Sequence, residues 1–380
     1  MLQKAIKLLL FNKSWNFGGD RYLARCIAKL QKKKKLLKSD VADLSQMTYK
    51  SKLLWMEAKK RKLDIYCFSM NGRQLLVYQW NHRDKEYYYR YSPITILHKH
   101  LSKFKDPGVY DDKIFFKKFL SKNKIPHPEG RAFFSRKRAL SYGKKLGFPL
   151  VVKPNSSSLS KHVTLNINDN EALKSAIGIA KMIDHRVIVE RYIPGNVHRF
   201  MCINDKLLVC SKRLAASIVG DGRQTINELI DQYNATPLRG DKTKGNSPLG
   251  EVQKDNVLHE YLACQGVSLQ KVLDAGKRIF LSEKTNCANG AEVINLTEKV
   301  CTENAELFRK IHNVLQVGVT AIDFICEDVS IPWGSQSFGI LENNSFPDIA
   351  PQHFPSSGEP VDVAKAIWEF IIETLSETSD

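Results

Sequence analysis

Apolar and polar positions change period several times along this chain, and each change predicts an element. From about residue 20 to 62, apolar clusters recur between lysines at helical spacing. LDIYCFSMNGRQLLVYQW then turns to β-branched and aromatic runs on either side of Asn71-Gly72, a two-residue hairpin signal. EYYYRYSP continues as a third strand, so a small α+β unit is expected to end near residue 100. IFFKKFLSKNKI reads as a basic helix ended by Pro126 and Pro128, and SRKRALSYGKKLGFP as a helix stopped by Gly147. PLVVKP is a buried strand, EALKSAIGIAKMI a helix, and RVIVERYI another strand. HRFMCINDKLLVCSKR is a strand pair turning at Asn204-Asp205. TINELIDQY opens with a capping box, Thr225 at the cap and Glu228 three positions on. Residues 234–260 read as a long polar loop followed by a short helix. TENAELFRKIHNVL is amphipathic, with Phe308, Ile311 and Leu315 on one face. VTAIDFIC and FGILEN are strands, VDVAKAIWEFIIETL is a closing helix, and no internal repeat is visible. Strands and helices mixed in this way predict an α+β or α/β enzyme.

Composition narrows the class. A chain of 380 residues with 43% hydrophobic and 26% charged content can bury two or three cores, which excludes wholesale disorder. No apolar run approaches the length of a membrane span, and MLQKAIKLLLFNK lacks the features of a signal peptide. The eight cysteines are scattered without a CxxC pair, which suits reduced thiols in a cytoplasmic chain. Charge is uneven. Of the formal net charge of +18, residues 1–100 supply most, with 22 Lys and Arg against 7 Asp and Glu. An acidic partner such as nucleic acid would suit that segment. Solvated helix faces around Lys32 to Lys35 and Lys59 to Lys62 are the favoured explanation, because no nucleic-acid motif accompanies the charge.

Three local patterns could carry chemistry. Glu342 and Asn344 share one side of a strand, and Asp323 on a neighbouring strand would complete three hard oxygen donors suited to Mg²⁺. Lys153 ends a buried strand, where a lysine is costly unless it meets an anion or reaches water. Lys113 opens the pattern D-K-x-x-x-K-x-x-L, formed by Asp112, Lys113, Lys117 and Leu120. In addition, VIVERYIPG runs a strand through Glu190 into a Pro-Gly turn whose backbone could meet a base edge. Taken singly, each has an ordinary alternative: a solvated acid, a basic helix start, a strand with its turn. His198 beside Arg199 reads as a packed or solvated histidine rather than a base, and Tyr87 to Tyr89 as the two faces of one strand.

In order and at this spacing, the pieces resemble the ATP-grasp superfamily from about Val109 to Ile372. The likeness is above all to the ATP-grasp part of cyanophycin synthetases and of bifunctional glutathione synthetases. DDKIFFKKFLSKNKIPHPEG, FPLVVKPN, VIVERYIPGNVHRF, KRLAASIVGDGRQTINELI, NATPLRG, GVTAIDFI and ILENNSFP carry it. The resemblance implies an α+β ATP-grasp fold, two subdomains gripping ATP, preceded by a small basic α+β domain. The expected division is residues 1–104 for that basic domain and 105–378 for the ATP-grasp part. Within the latter, a lid would cover about 135–195 and a metal-binding subdomain about 196–378. It further implies an ATP-dependent carboxylate–amine ligase working through an acylphosphate on an amino acid or short peptide.

Carried over by position, Lys113 and Lys153 would contact ATP phosphates. Glu190, Arg191 and Ile193 would line the adenine hinge, Ile193 through its backbone. Asp323, Glu342 and Asn344 would hold Mg²⁺, with Mn²⁺ as an alternative. Arg199 and Arg213 would act near the phosphates and the substrate carboxylate, and Arg239 is a secondary candidate in a mobile loop. The polar segments 154–162 and 234–256 would serve as lids. Several positions depart from the family pattern. SSSLSKH carries no glycine after Lys153, Val197 stands where an acid for the ribose is usual, Ser282 where an arginine is usual, and CANGA where STGG is usual. A second reading therefore stays open: a nucleotide-binding protein of weakened activity whose basic first domain binds nucleic acid or another polyanion. A homo-oligomer is also left open.

Overall fold

The computed structural model describes residues 19–155, 162–241, 247–283, 285 and 287–377. The start of the chain, most of the SSSLSKH loop and part of the 234–256 segment lie outside the described residues.

The first unit contains α1 (Gly19–Lys32), β1 (Leu37–Ser39), α2 (Tyr49–Lys60), β2 (Asp64–Met70), β3 (Arg73–His82), β4 (Lys85–Arg90) and α3 (Thr95–His100). Its strands form an antiparallel sheet in the order β1-β2-β3-β4. The expected hairpin is present: Asn71 and Gly72 take φ of 52° and 74°, the left-handed pair whose twist suits a two-residue connection. Arg83-Asp84 makes a second such turn, with φ of 47° and 57°, without a glycine at either central position. Period-two alternation splits the tyrosines of β4. Tyr87 and Tyr89 join the core on one face, and Tyr88 packs with Phe68 and α1 on the other.

A second sheet is built from β5 (Gly130–Phe133), β6 (Leu150–Pro154), β7 (Thr164–Ile167) and β8 (Val187–Arg191), in the order β5-β8-β6-β7. It follows α4 (Lys113–Lys122), and its own helices α5 (Arg136–Leu146) and α6 (Asn170–Lys181) cover one face. Leu150, Val152, Val187 and Val189 point into that cover. By alternation Val151, Lys153, Ile188 and Glu190 line the opposite face.

The third sheet begins with β9 (Asn196–Ile203) and β10 (Lys206–Leu214), joined at Asn204-Asp205 as expected. An excursion follows through β11 (Ser217–Val219), α7 (Ile226–Asn234), β12 (Arg239–Gly240), β13 (Leu249–Gly250), α8 (Asn256–Cys264) and β14 (Arg278–Phe280). It has a core of its own around Ile226, Ile230, Leu262 and Leu273, and α7 carries the expected capping box. The polar stretch 234–260 is thus partly ordered by a short parallel pair, β12 with β13. The chain returns as β15 (Glu292–Asn295), α9 (Thr302–Leu315), β16 (Val319–Cys326) and β17 (Phe338–Asn343), then α10 (Ala350–His353) and α11 (Val363–Glu377). The sheet order is β15-β10-β9-β16-β17, each neighbour antiparallel. One face packs on α9, where Phe200 and Phe308 stack at 3.8 Å between ring centroids.

The first unit is not a detached bead. Its aromatic face shares a core with α11 and with Met201, Val209, Val319 and Ala321 of the third sheet. Trp368 of α11 is fully buried, meets Trp80 edge-on at 5.3 Å and donates its indole N–H to the Leu54 carbonyl. Among the described residues no helix is long and apolar enough to cross a membrane. All eight cysteines are free. Because Trp368 joins the two ends of the chain, Trp368→Ala is expected to cost about 3–5 kcal/mol of unfolding free energy. A denaturant titration followed by tryptophan fluorescence checks this. A loss under about 1 kcal/mol would mean that the shared core carries little of the stability.

Candidate functional site

Along three neighbouring strands of the third sheet, the face that holds the shared core changes from apolar to charged at the same level. Met201 gives way to Arg199 on β9, Ala321 to Asp323 on β16, and Val209 to Ser211 and Arg213 on β10. Arg199 lies directly opposite Asp323 in register, and Asp323 opposite Glu342. A bulge in β17 between Ile340 and Glu342 permits this pairing. Arg199 and Asp323 are both buried and form a two-pronged ion pair, Nε to Oδ1 at 2.6 Å and Nη2 to Oδ2 at 2.7 Å. Arg213 adds a 3.9 Å contact, and Asn344 Nδ2 donates to Asp323 Oδ2 at 3.3 Å. Burial works to raise the Asp323 carboxyl, but Arg199 and then Arg213 outweigh it and hold the group below its ordinary 3.8. The Arg199 guanidinium is correspondingly raised: burial opposes its charge, and Asp323 more than compensates. Removing either partner would leave a buried charge unpaired, at a cost of about 3–5 kcal/mol.

The second cluster lies on the uncovered face of the second sheet. Lys153 Nζ meets Glu190 Oε1 at 2.6 Å, and Lys117 Nζ meets Oε2 at 3.0 Å. Lys117 is fixed by a 2.6 Å hydrogen bond to the Pro128 carbonyl. Glu190 is 2% exposed, and Gly130 on β5 sits directly behind it. A Cβ at position 130 would lie 2.4 Å from the Glu190 Cβ, so only glycine lets β5 approach there. Burial pushes the Glu190 carboxyl up, yet Lys153 and then Lys117 outweigh this and keep it below 4.5. Lys117 is itself lowered by burial.

Helix α4 joins the clusters. Lys113 and Lys117 are four residues apart on one helical face. Lys113 Nζ reaches Glu342 Oε2 at 3.1 Å, so one helix touches the acids of both sheets. Its N-terminus is secured on both sides. Asn155, just after β6, accepts from the Ile114 N–H and donates to Asp112, and Ser345, just after β17, donates to Asp111.

Of the residues singled out in the sequence, Lys113, Lys153, Glu190, Arg199, Arg213, Asp323, Glu342 and Asn344 gather into these two joined clusters. Ile193 lies between the sheets, its Cδ1 against Gly339 of β17. The Arg191 side chain turns away, to Glu129 and the Leu146 carbonyl. Arg239 is held between Tyr233 and the Gly250 and Gly290 carbonyls rather than in a mobile loop. The pairing of Lys117, and the ties of Asp111 and Asn155, were not expected from sequence, although the i, i+4 spacing of Lys113 and Lys117 was visible. No cluster of three His, Cys, Asp or Glu side chains suited to a metal occurs among the described residues. The Asp323, Glu342 and Asn344 set is two carboxylates and a carboxamide, a donor chemistry that fits a hard divalent cation.

Comparisons with known proteins concern the fold and its relatives. A family model described as "Phosphoribosylglycinamide synthetase, ATP-grasp (A) domain" matches residues 111–217. Cyanophycin synthetase of Trichormus variabilis is 27% identical over 263 residues, 68% of this chain and 29% of that protein. The glutathione biosynthesis bifunctional protein of Desulfotalea psychrophila is 29% identical over 252 residues, 66% of this chain and 32% of that protein. The chain therefore spans about a third of the length of these relatives. A crystal structure of a bifunctional glutathione synthetase from Pasteurella multocida matches the fold with a TM-score of 0.66 at 21% identity. That match covers 87% of this chain and 45% of the other. It reaches beyond the 109–372 stretch, so part of the first unit shares that fold as well.

His198 is buried against Phe324, and burial holds it down to about 4. It is packed and uncharged at neutral pH. Its folded value lies below its ordinary 6.5, so the unfolded chain takes up the proton first as pH falls. The stability His198 contributes is therefore complete above pH 6.5 and shrinks by about 3 kcal/mol between there and pH 4. Unfolding free energies of the wild type and His198→Phe across that range should diverge by this amount. Parallel curves would contradict a buried neutral imidazole.

Proposed function

We propose, for a chain that has the ATP-grasp fold and resembles cyanophycin synthetases and bifunctional glutathione synthetases between about residues 109 and 372, an ATP-dependent ligase that joins a carboxylate to an amine through an acylphosphate. The carboxylate is an amino acid or short peptide. The observation that carries this reading is the span of α4, with Lys113 at Glu342 and Lys117 at Glu190. Through it, lysines from two separated stretches and a late oxygen-donor set lie around one cleft.

A carboxylate is a poor electrophile, and phosphorylating it turns its oxygen into a leaving group. That step brings two anions together, so their repulsion must be neutralised. Lys113 and Lys153 meet the phosphates. Arg199, oriented on both prongs by Asp323, presents fixed positive charge where the acyl and phosphoryl groups meet. Arg213, whose contact to Asp323 is the longer one, receives the substrate carboxylate. Asp323, Glu342 and Asn344 hold Mg²⁺ or Mn²⁺, which supplies charge neutralisation at the phosphate oxygens when bound. The backbone from Glu190 through Arg191 to Ile193 lines the adenine hinge. The side chain of Glu190 is committed to lysines, and that of Arg191 faces elsewhere.

An acylphosphate hydrolyses readily, so residues of about 135–195 act as a lid that excludes water over the subdomain of about 196–378. The basic unit of residues 1–104 supplies the remaining wall through the shared core. The free cysteines suit a cytoplasmic site of action. Nucleic acid is not favoured as a partner.

Amino acids and dipeptides screened in pairs should include one that drives release of ADP and phosphate. Lys153→Ala and Asp323→Asn should each lower that turnover by about a hundredfold or more. Unchanged turnover in both variants of an active preparation would remove the site assignment.

A further inference from the structure

Lys117 is given no contact with nucleotide or substrate in the function set out above, yet its ammonium group is tightly held. Its ammonium group is fixed by the Pro128 carbonyl at 2.6 Å and stands 3.0 Å from Glu190 Oε2. Lys153 holds the other oxygen at 2.6 Å. The three side chains are largely removed from water, at 15%, 9% and 3% exposure for Lys117, Lys153 and Glu190. His127 faces the same group and is pushed below its ordinary value by burial, so it adds no competing cation at neutral pH.

We propose that Lys117 is a positioning residue: it is the standing counter-ion of Glu190, and this allows Lys153 to turn its charge toward a phosphate. The inference rests on the reading that Lys153 meets a nucleotide phosphate. A lone Lys153–Glu190 pair would be neutral and would attract an anion poorly. If Lys153 then moved to a phosphate, a buried carboxylate would be left without a partner, which is strongly unfavourable. Solvent cannot take over, because Glu190 is buried and Gly130 closes the space behind its Cβ. With Lys117 present, the triad carries a net positive charge, and Glu190 keeps a partner when Lys153 departs. The i, i+4 placement of Lys113 and Lys117 gives one helical face two tasks. Lys113 serves the cleft directly, and Lys117 serves it through Glu190 and Lys153.

Two measurements test this. The first needs no nucleotide. In denaturant unfolding near neutral pH, Lys117→Met and Lys153→Met should each cause a small loss, because the other lysine still pairs Glu190. The double variant should lose clearly more than the sum. Additive losses would overturn the redundancy. The second is the MgATP dissociation constant by calorimetry. Lys117→Met should bind about tenfold more weakly than wild type, whereas Lys117→Met/Glu190→Gln should stay within about threefold of Glu190→Gln alone. Equal weakening in both backgrounds would mean that Lys117 acts independently of Glu190, and the proposal would fall. Should wild type not bind MgATP while the unfolding losses remain more than additive, the nucleotide reading would fail and the counter-ion pairing would stand.

Discussion

Two carboxylates on two different sheets, Glu190 and Glu342, each take a lysine from the same face of helix α4. The rest of the site depends on that constraint. A helix rises 1.5 Å per residue, so side chains four apart sit about 6 Å from one another along the axis, and the two acids must lie within reach of that short span. The N-terminus of α4 is tied to both sheets, by Asn155 next to β6 and by Ser345 next to β17, while the Ile340 N–H reaches the Pro126 carbonyl just beyond the helix's other end. The helix therefore bridges the second and third sheets through Lys113 and Lys117.

The buried charges of the third sheet are tolerated because Arg199 and Asp323 pair with each other. Arg199 and Asp323 are both buried, and two short hydrogen bonds join them. Below that level the same face is sealed by Trp80, Tyr89 and Trp368, so the first unit packs against the apolar part of the third sheet. Its excess lysines lie mainly outward: Lys32 to Lys35 are exposed, with Lys33 to Lys35 just beyond the end of α1 rather than on a helix face.

Much of this was legible in the sequence, for identifiable reasons. The strands that carry Lys153, Asp323 and Glu342 are strongly apolar runs, so their existence was readable; that Glu190 shares a face with Lys153 follows only from the β6–β8 register, and Glu342 leaves the face of Ile340 only through the bulge in β17. The capping box at Thr225 and the hairpins at Asn71-Gly72 and Asn204-Asp205 are local signals, readable without tertiary information. What stayed hidden is long-range. Nothing near Lys117 announces that its partner is Glu190, on a strand reached only after two helices. The Arg191 side chain could not be aimed before β8 was known to lie beside the end of α5. The order imposed on Arg239 comes from carbonyls on β13 and on the turn before β15, which a polar stretch does not reveal.

The most direct test of the account is a crystal structure of the chain with Mg²⁺ and a non-hydrolysable ATP analogue. The account predicts a triphosphate in contact with the Lys113 and Lys153 ammonium groups, a metal on Asp323 and Glu342, and Glu190 still paired with Lys117. A nucleotide bound away from α4, or lysines 113 and 153 facing different sides of it, would contradict the central claim.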